Sequence, residues 1–518
     1  MVEPDVPTAW WLGFWRAGEH LYWWTTAVSP TGDRAAVRAA VRGRITRPTW
    51  RQTVDPDRAA PGPVPAEAAF VAAGALAWSD VEPHLAALAA AVPVQVDPSA
   101  RAKADELARR LRRATEVAAM TLRTPDDEET AALIAEQIAL RWRTAGLNRR
   151  AVGESLTRAW SGPLVDLDTN VRLCRDLGAL LLPAVLREYL AAPRDSGEPD
   201  ATLVVAPAPE LGLVPWDLLT VHDDARLLER AVVRGGISPA TVADLALPAA
   251  PDEPDLPGLL VVDPAGGRQD DPVPLYPDGL PDAWTTAERA HRGDVVSSRY
   301  EPSRGCSRTR LGALLREDRW GRFVFHGHVA SLDALSPTAA ALVLAGEPHG
   351  DPPVCTSDGR ALEEPAATHR LSARVWLHRP QQWPLPRRVG IIACQADDAG
   401  YVEQTGLTLA ALNAGARIVT TTRWTLPGDA SARADSTGVG PTTALALAVD
   451  DALRAADPVA AMRTWQLGQL QAWRTAPTPA ARREHAPLLW ASLVTYVLPD
   501  EIASAPLRSV ESDPRVEQ

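Results

Sequence analysis

The stretch GRFVFHGH, residues 321–328, has the pattern of a buried strand that ends on polar side chains. Three bulky apolar residues, Phe323 to Phe325, precede His326 and His328 in a chain that has only 10 histidines among 518 residues. Short apolar runs without polar alternation are typical of strands buried on both faces, as in a parallel sheet. We therefore predict a largely parallel sheet that includes this strand.

Other runs of the same kind recur from about residue 165 onward, and helical patterns separate them. They are ATLVVAPA (201–208), GLLVVDPA (258–265), AAALVLAG (339–346), RRVGIIAC (387–394), ARIVTTTRW (416–424) and LLWASLVTYV (488–497). This alternation predicts an α/β fold in which helices cover a mostly parallel sheet. The region ends near residue 498, and the polar residues 499–518 are expected to form a loose tail.

The N-terminal part of the chain has a different composition. Residues 1–62 include AWWLGFWRAGEHLYWWTTAV (9–28), which predicts an aromatic hairpin that turns at RAGE. Five tryptophans in this stretch suit either packing against the rest of the protein or a contact surface, and packing is favoured. Residues 63–164 are rich in alanine, and their apolar periodicity predicts a helical region. Because 518 residues exceed an ordinary domain, we expect two or three domains.

The bulk composition argues against several classes of protein. The formal net charge is −12, which disfavours a chain built to bind nucleic acid, because the phosphate backbone requires a positive surface. No basic segment precedes an apolar core at the N-terminus, and no run of about 18 apolar residues predicts a membrane span. The four cysteines lack CxxC spacing, which is typical of the reduced cytoplasm. We therefore expect a cytoplasmic protein that binds neither nucleic acid nor membrane.

Two predicted strands end on residues that suit nucleophilic catalysis. His326 ends one and Cys394 ends another 68 residues later, and ligands bind at the C-terminal ends of strands in open α/β sheets. An imidazole can accept the proton of a thiol, which is mostly protonated at neutral pH. The N–H groups of Gly327 and Cys394 are candidates for holding a developing oxyanion. Taken alone, a cysteine that ends an apolar strand is usually core, and a histidine there is usually structural.

The His-x-His pattern also suggests a second interpretation, a metal site. His326 and His328 would project from one face of a strand, as metal ligands do. A metallohydrolase site would need a carboxylate two residues further on, and that position is Ala330. No other group of histidines or acids has convincing ligand spacing, so we expect no metal and no cofactor. His328 receives no role.

The chain from about 165 to 498 resembles the CHAT domain, a bacterial branch of the caspase-like cysteine peptidases. The resemblance rests on blocks that follow one another in order. They include LVVAPAPELGLVPWDLL (203–219), LPDAWTTAERA (280–290), FVFHGHVAS (323–331), VGIIACQADDAG (389–400), ALNAGARIVTTTRWTLPGD (411–429) and HAPLLWASLVTYV (485–497). The family implies a caspase-like three-layer α/β/α sandwich, with His326 as the catalytic histidine and Cys394 as the nucleophile.

Residues near the implied dyad suggest a substrate pocket. Asp397 and Asp398 follow the cysteine in a loop that faces substrate in this family, and Arg423 and Trp424 follow a later strand. The family more often has an acid directly after the cysteine, where this chain has Gln395. The P1 preference is therefore open, because Arg423 would favour an acidic side chain and the two aspartates a basic one.

The resemblance implies a cysteine endopeptidase that cleaves protein or peptide substrates in a bacterial conflict or defence pathway. Its activity would be regulated by a protein partner that binds through residues 1–164. The alternative is a non-catalytic scaffold that keeps the CHAT fold for interaction and uses the aromatic N-terminus as its interface.

Overall fold

A computed structural model provides the structure of this chain. It describes residues 9–17, 19–28, 68–92, 156–192, 201–237, 245–264, 274–276, 278–286, 293, 295–300, 306–317, 320–331, 340–346, 370–393, 405–424, 426–429 and 439–498. Most of the predicted helical region and the predicted C-terminal tail lie outside these residues, so both stay predictions.

The described residues form strands and helices in the following order along the chain. The strands are β1 (Ala9–Ala17), β2 (His20–Val28), β3 (Ala68–Ala77), β4 (Ala201–Ala206), β5 (Thr220–His222), β6 (Ala225–Arg226), β7 (Ala231–Gly235), β8 (Gly258–Val262), β9 (Val295–Ser298), β10 (Arg322–Gly327), β11 (Val329–Ser331), β12 (Ala340–Val343), β13 (Arg370–Ser372), β14 (Arg388–Ala393), β15 (Ile418–Thr422) and β16 (Leu493–Val497). The helices are α1 (Trp78–Ala91), α2 (Leu167–Leu181), α3 (Ala184–Ala191), α4 (Leu227–Arg230), α5 (Arg308–Leu315), α6 (Ala373–His378), α7 (Thr405–Asn413), α8 (Pro441–Arg454), α9 (Pro458–Thr475), α10 (Pro479–Glu484) and α11 (Pro487–Trp490). Short 3₁₀ helices cover Pro209–Leu211, Trp216–Leu218, Asp282–Trp284 and Pro380–Gln382.

The main sheet has 11 strands in the order β3-β2-β1-β4-β7-β16-β15-β14-β10-β8-β9. Strands β15, β14, β10, β8 and β9 run parallel to one another. Strands β16, β7, β4 and β1 form a second parallel block, and it has the opposite direction because β16 is antiparallel to β15. The sheet is therefore mostly parallel, as predicted.

Helices cover both faces of this sheet, which gives three layers. Along β8, Leu260 and Val262 belong to one apolar core, whereas Leu259 and Val261 belong to another. Helices α2, α3, α8 and α9 contribute to the first core, and α5, α6 and α7 contribute to the second. Alternate residues of one strand point to opposite faces, so a strand that is apolar throughout is buried between two helical layers. The predicted α/β/α sandwich is confirmed.

One predicted strand lies elsewhere. The run AAALVLAG forms β12, which belongs to a separate three-stranded antiparallel sheet in the order β11-β12-β13. Residues 332–339 are the whole connection from β11 to β12. A crossover to a parallel neighbour needs roughly a dozen residues or more, so this connection suits an antiparallel partner.

The predicted aromatic hairpin is present and extends the main sheet. Strands β1 and β2 pair antiparallel, and β1 pairs parallel with β4. The ring of Trp10 lies 5.0 Å from that of Tyr189, and Phe14 lies 5.3 Å from Trp216, centroid to centroid. For Trp10, packing against the rest of the protein is thus the observed role.

Residues 68–77 form strand β3, whereas the alanine-rich sequence predicted helix there. Strand β3 pairs antiparallel with β2, and Gly74 lies opposite Trp23. A Cβ on Gly74 would lie 2.6 Å from Cζ2 of Trp23, so the indole occupies the space of a side chain. Small residues in β3 leave room for the large aromatic side chains of β2. Strand pairing therefore overrides the helical propensity of alanine here. Within the described ranges, no helix is long and apolar enough to cross a membrane.

Candidate active site

The register of β10 and β14 places His326 beside the last described residues of β14. His326 pairs with Ile392, and Gly327 pairs with Ala393. Cys394 is the next residue of the chain and lies outside the described residues, as do Asp397 and Asp398. The described part of β14 thus ends at Ala393, beside Gly327, and the predicted pairing of His326 with Cys394 stays a prediction.

Two buried arginines hold this register at the opposite edge. Arg322 and Arg388 begin the paired strands and face each other. Arg322 Nε donates to Asp450 Oδ1 at 2.7 Å, and Arg388 Nε donates to Asp252 Oδ1 at 2.7 Å. Arg388 also donates to the carbonyl of Leu453 at the end of α8. A one-residue slip would leave buried charges unpaired, so these contacts fix the register in which His326 pairs with Ile392.

His326 lies in an aromatic pocket beneath this edge. Its side chain is 1% exposed, and the ring of Trp284 stacks on it at 5.5 Å with an interplanar angle of 28°. The ring of Tyr276 lies 6.1 Å away. Burial lowers the pKa of His326 to about 3, although the nearby Asp263 carboxylate opposes the shift and His328 adds to it. The imidazole is therefore neutral at physiological pH, which is the form that a general base requires.

A chain of hydrogen bonds holds the aromatic pocket in place. Trp284 Nε1 donates to the Tyr276 hydroxyl oxygen at 3.1 Å, and the Tyr276 and Thr443 hydroxyls lie 2.9 Å apart. The Thr443 hydroxyl donates to Asp429 Oδ2 at 2.6 Å, so Tyr276 is the donor to Thr443. Asp429 Oδ1 also accepts from the N–H of Thr442 at the start of α8. The wall beside His326 is thereby fixed to the N-terminus of α8.

Glycine is required at position 327 because a side chain would not fit there, and not because of its backbone angles. A Cβ at this position would lie 2.7 Å from Phe325 Cζ and 3.1 Å from Pro264 Cδ. A side chain there would displace the strand end that carries His326. This contact explains why glycine follows the histidine, and the oxyanion role of its N–H stays a prediction.

Two of the predicted pocket residues have other contacts in the described part of the chain. Arg423 Nη2 lies 3.4 Å from Asp217 Oδ2, with both side chains buried. Burial raises the pKa of Asp217, and the Arg423 charge opposes that shift. Trp424 is buried and donates from Nε1 to the Leu488 carbonyl at 2.8 Å. These contacts anchor both side chains within the fold, and their substrate role stays a prediction.

Most of the residues that surround His326 carry no local sequence signal. Trp284 ends a short 3₁₀ helix and Tyr276 lies in a loop, and only the tertiary fold brings them to the histidine. Asp263 could have been found, since it follows β8 directly and polar residues at strand ends indicate the site edge. The described cysteines, Cys174 and Cys306, are buried, and burial raises their pKa values to about 11 and about 12. Neither thiol is a competing nucleophile.

The fold and this site define an α/β sandwich whose parallel strands present a buried, neutral histidine at their C-terminal edge. A family model described as the CHAT domain matches residues 171–497, which is more than half of the chain. The chain therefore belongs to the CHAT-domain family, and the resemblance seen in its sequence is confirmed. The observed architecture is the sandwich that this resemblance to caspase-like peptidases implied.

Two further comparisons complete this picture. No curated protein matches the chain. A crystal structure of the separase–securin complex of Saccharomyces cerevisiae is similar, with a TM-score of 0.37 and 10% sequence identity. The match covers 95% of this chain and 30% of that one, so this chain spans less than a third of its length.

Proposed function

We propose that this protein is a cysteine endopeptidase in which Cys394 is the nucleophile and His326 the general base. The observation that carries the proposal is the position of His326 at the end of β10, paired beside the strand that leads into Cys394. Membership of the CHAT-domain family supports the same pair of residues.

The proposed reaction uses His326 in both proton transfers. Neutral His326 accepts the proton of Cys394, and the sulfur attacks the carbonyl carbon of the scissile peptide bond. The N–H groups of Gly327 and Cys394 stabilise the oxyanion. His326 then donates its proton to the leaving amine as the C–N bond breaks, and water hydrolyses the thioester to release the acyl product and the free thiol.

The proposal extends to substrate and regulation. Substrates are proteins or peptides, and residues Asp397, Asp398, Arg423 and Trp424 are the proposed determinants of the side chain before the cleaved bond. A protein partner regulates the enzyme through the region before residue 165, in a bacterial conflict or defence pathway in the cytoplasm.

Cleavage by wild type and by Cys394→Ala tests the proposal. Purified full-length protein is incubated with a peptidyl coumarylamide library that varies the P1 residue, and its own processing is followed by mass spectrometry. We expect cleavage by wild type and a loss of at least about 10³-fold in Cys394→Ala and His326→Ala. Equal rates for wild type and Cys394→Ala contradict the proposal.

A thiol-directed peptidyl probe separates the enzyme from the scaffold alternative. Because Cys174 and Cys306 are buried with raised pKa values, neither competes for such a probe in the folded protein. We expect adduct formation at Cys394, with His326→Ala slowing it. A probe that leaves Cys394 unmodified in the presence of its partners favours the scaffold.

A further inference from the structure

Asp263 lies at the end of β8 in an unusual backbone conformation. Among the described non-glycine residues, positive φ occurs at Asp223 and at Asp263, where φ is 43°. Asp263 is 0% exposed, whereas Asp223 lies in an exposed turn. Backbone strain in a buried residue persists only when surrounding contacts enforce it, and such strain clusters at functional sites.

The carboxylate of Asp263 is held by three donors. The Tyr300 hydroxyl donates to Oδ2 at 2.6 Å, and the N–H of Leu275 donates to the same oxygen at 2.9 Å. Arg299 Nη2 donates to Oδ1 at 2.9 Å. Burial and the Asp263 carboxylate raise the pKa of Tyr300, so this phenol stays a donor. These three hydrogen bonds hold the carboxylate in one orientation.

The same residue contacts the histidine strand. The N–H of Asp263 donates to the carbonyl of His326 at 2.6 Å. His328 Nε2 lies 3.7 Å from Asp263 Oδ1, and both side chains are buried. The carboxylate thus lies beside the His328 imidazole, and its negative charge also favours protonation of the buried His326, against the effect of burial on the His326 pKa.

We propose that Asp263 is a positioning residue of the active site, whose backbone holds the His326 carbonyl and whose carboxylate stabilises the positive charge that the imidazole acquires from Cys394. This inference rests on the proposed function. When the S–H bond of Cys394 breaks, the proton forms an N–H bond on His326, and it later passes to the leaving amine. In this scheme Asp263 takes no part in the proton transfer.

A purely structural role for Asp263 is the competing explanation, because Arg299 and Tyr300 already pair with it. The two roles differ in their dependence on charge. The charged and titratable groups around the His326 imidazole are Asp263, His328 and Tyr276. Arg299 and Tyr300 contact the Asp263 carboxylate. Asparagine keeps the shape and an acceptor oxygen but removes the charge.

The first test compares kcat and KM of wild type and Asp263→Asn on the best library peptide, with Cys394→Ala in the same assay. We expect kcat to fall roughly 10–100-fold and KM to change less than about threefold, with a similar melting temperature. A kcat within about threefold of wild type overturns the inference. If Cys394→Ala cleaves as well as wild type, the proposed function fails instead, and the inference fails with it.

The second test uses Asp263→Gly, since glycine adopts positive φ freely and leaves room for a small carboxylate. Sodium formate is added to one sample and formamide, its neutral counterpart, to another. We expect formate to restore kcat at least about tenfold over the unrescued variant and formamide to leave it low. Equal rescue by both compounds shows that only space is filled, and formate that raises the melting temperature without raising kcat also overturns the inference.

Discussion

At the scale of the residue, His326 combines two properties that rarely coincide. It is buried against Trp284 and Tyr276, and burial lowers its pKa to about 3. A histidine in such a place is usually a structural residue, yet it stands at the strand end where ligands bind. The aromatic pocket keeps the imidazole uncharged. The same burial makes its protonation costly, and the nearby charge of Asp263 offsets part of that cost.

The lowered pKa of His326 predicts how stability changes with pH. The unfolded chain protonates this residue near its ordinary value of 6.5, whereas the folded protein does so at about 3. The unfolded state therefore binds more protons between these values, and the contribution to stability falls as pH drops from about 6.5 towards 3, by up to about 1.4 kcal/mol per pH unit.

Urea unfolding at several pH values between 7.5 and 4.5 measures this effect. We expect wild type to lose more free energy of unfolding on acidification than His326→Gln, which carries no titrating group at that site. His222→Gln is the matched control, because the His222 side chain is 55% exposed. Parallel pH curves for wild type and His326→Gln would contradict the assigned environment.

At the scale of the element, the end of β10 is built to carry one residue of the site without distortion. Arg322 fixes its start through Asp450, and Gly327 allows close packing against Phe325 and Pro264 at its end. Both features act on the position of His326. Different contacts therefore fix the register of β10 and the packing of its end, and both determine the position of His326.

Substitution of Gly327 by alanine tests the second feature. The added Cβ would meet Phe325 Cζ at 2.7 Å, so we expect a loss of about 1–3 kcal/mol in stability and at least a tenfold loss of cleavage. Gly468→Ala in helix α9 is the control, because no atom lies within 4 Å of its added Cβ. That variant should be unchanged or more stable by about 1 kcal/mol. Full activity in Gly327→Ala would show that the close packing is dispensable.

At the scale of the whole molecule, the N-terminal hairpin shares its sheet with the matched CHAT region. Strand β1 pairs with β4 over five residue pairs, and Trp10 packs on Tyr189 of α3. A segment joined by both backbone hydrogen bonds and core packing unfolds with the rest of the sheet. The hairpin and strands β10 and β14 are thus expected to form one cooperative unit.

Trp10→Ala tests this cooperativity. Removal of a buried tryptophan costs about 3–5 kcal/mol, and we expect a single unfolding transition at lower denaturant with faster hydrogen exchange in β10 and β14. Trp11→Ala, on the opposite and less buried face, should have a smaller effect. Unchanged exchange in β10 would show instead that the hairpin unfolds independently.

Local sequence alone determined the buried strands and the strand end at His326. Apolar runs and turn residues act over a few positions, so β4, β8, β10, β14, β15 and β16 could all be predicted without knowledge of their neighbours. The ordered blocks also indicated the family, which the match to the CHAT domain confirms, and the pairing of His326 with Cys394 stays a prediction.

Other features depend on contacts between residues far apart in the chain, and these are visible only in the tertiary structure. It set the two opposed parallel blocks of the sheet, the strand conformation of 68–77 against Trp23, and the position of β12 in a separate sheet. It also placed Trp284 on His326 and Asp263 beside both histidines. Pairing, burial and electrostatic environment arise from contacts between distant segments, and no local pattern encodes which segments will meet.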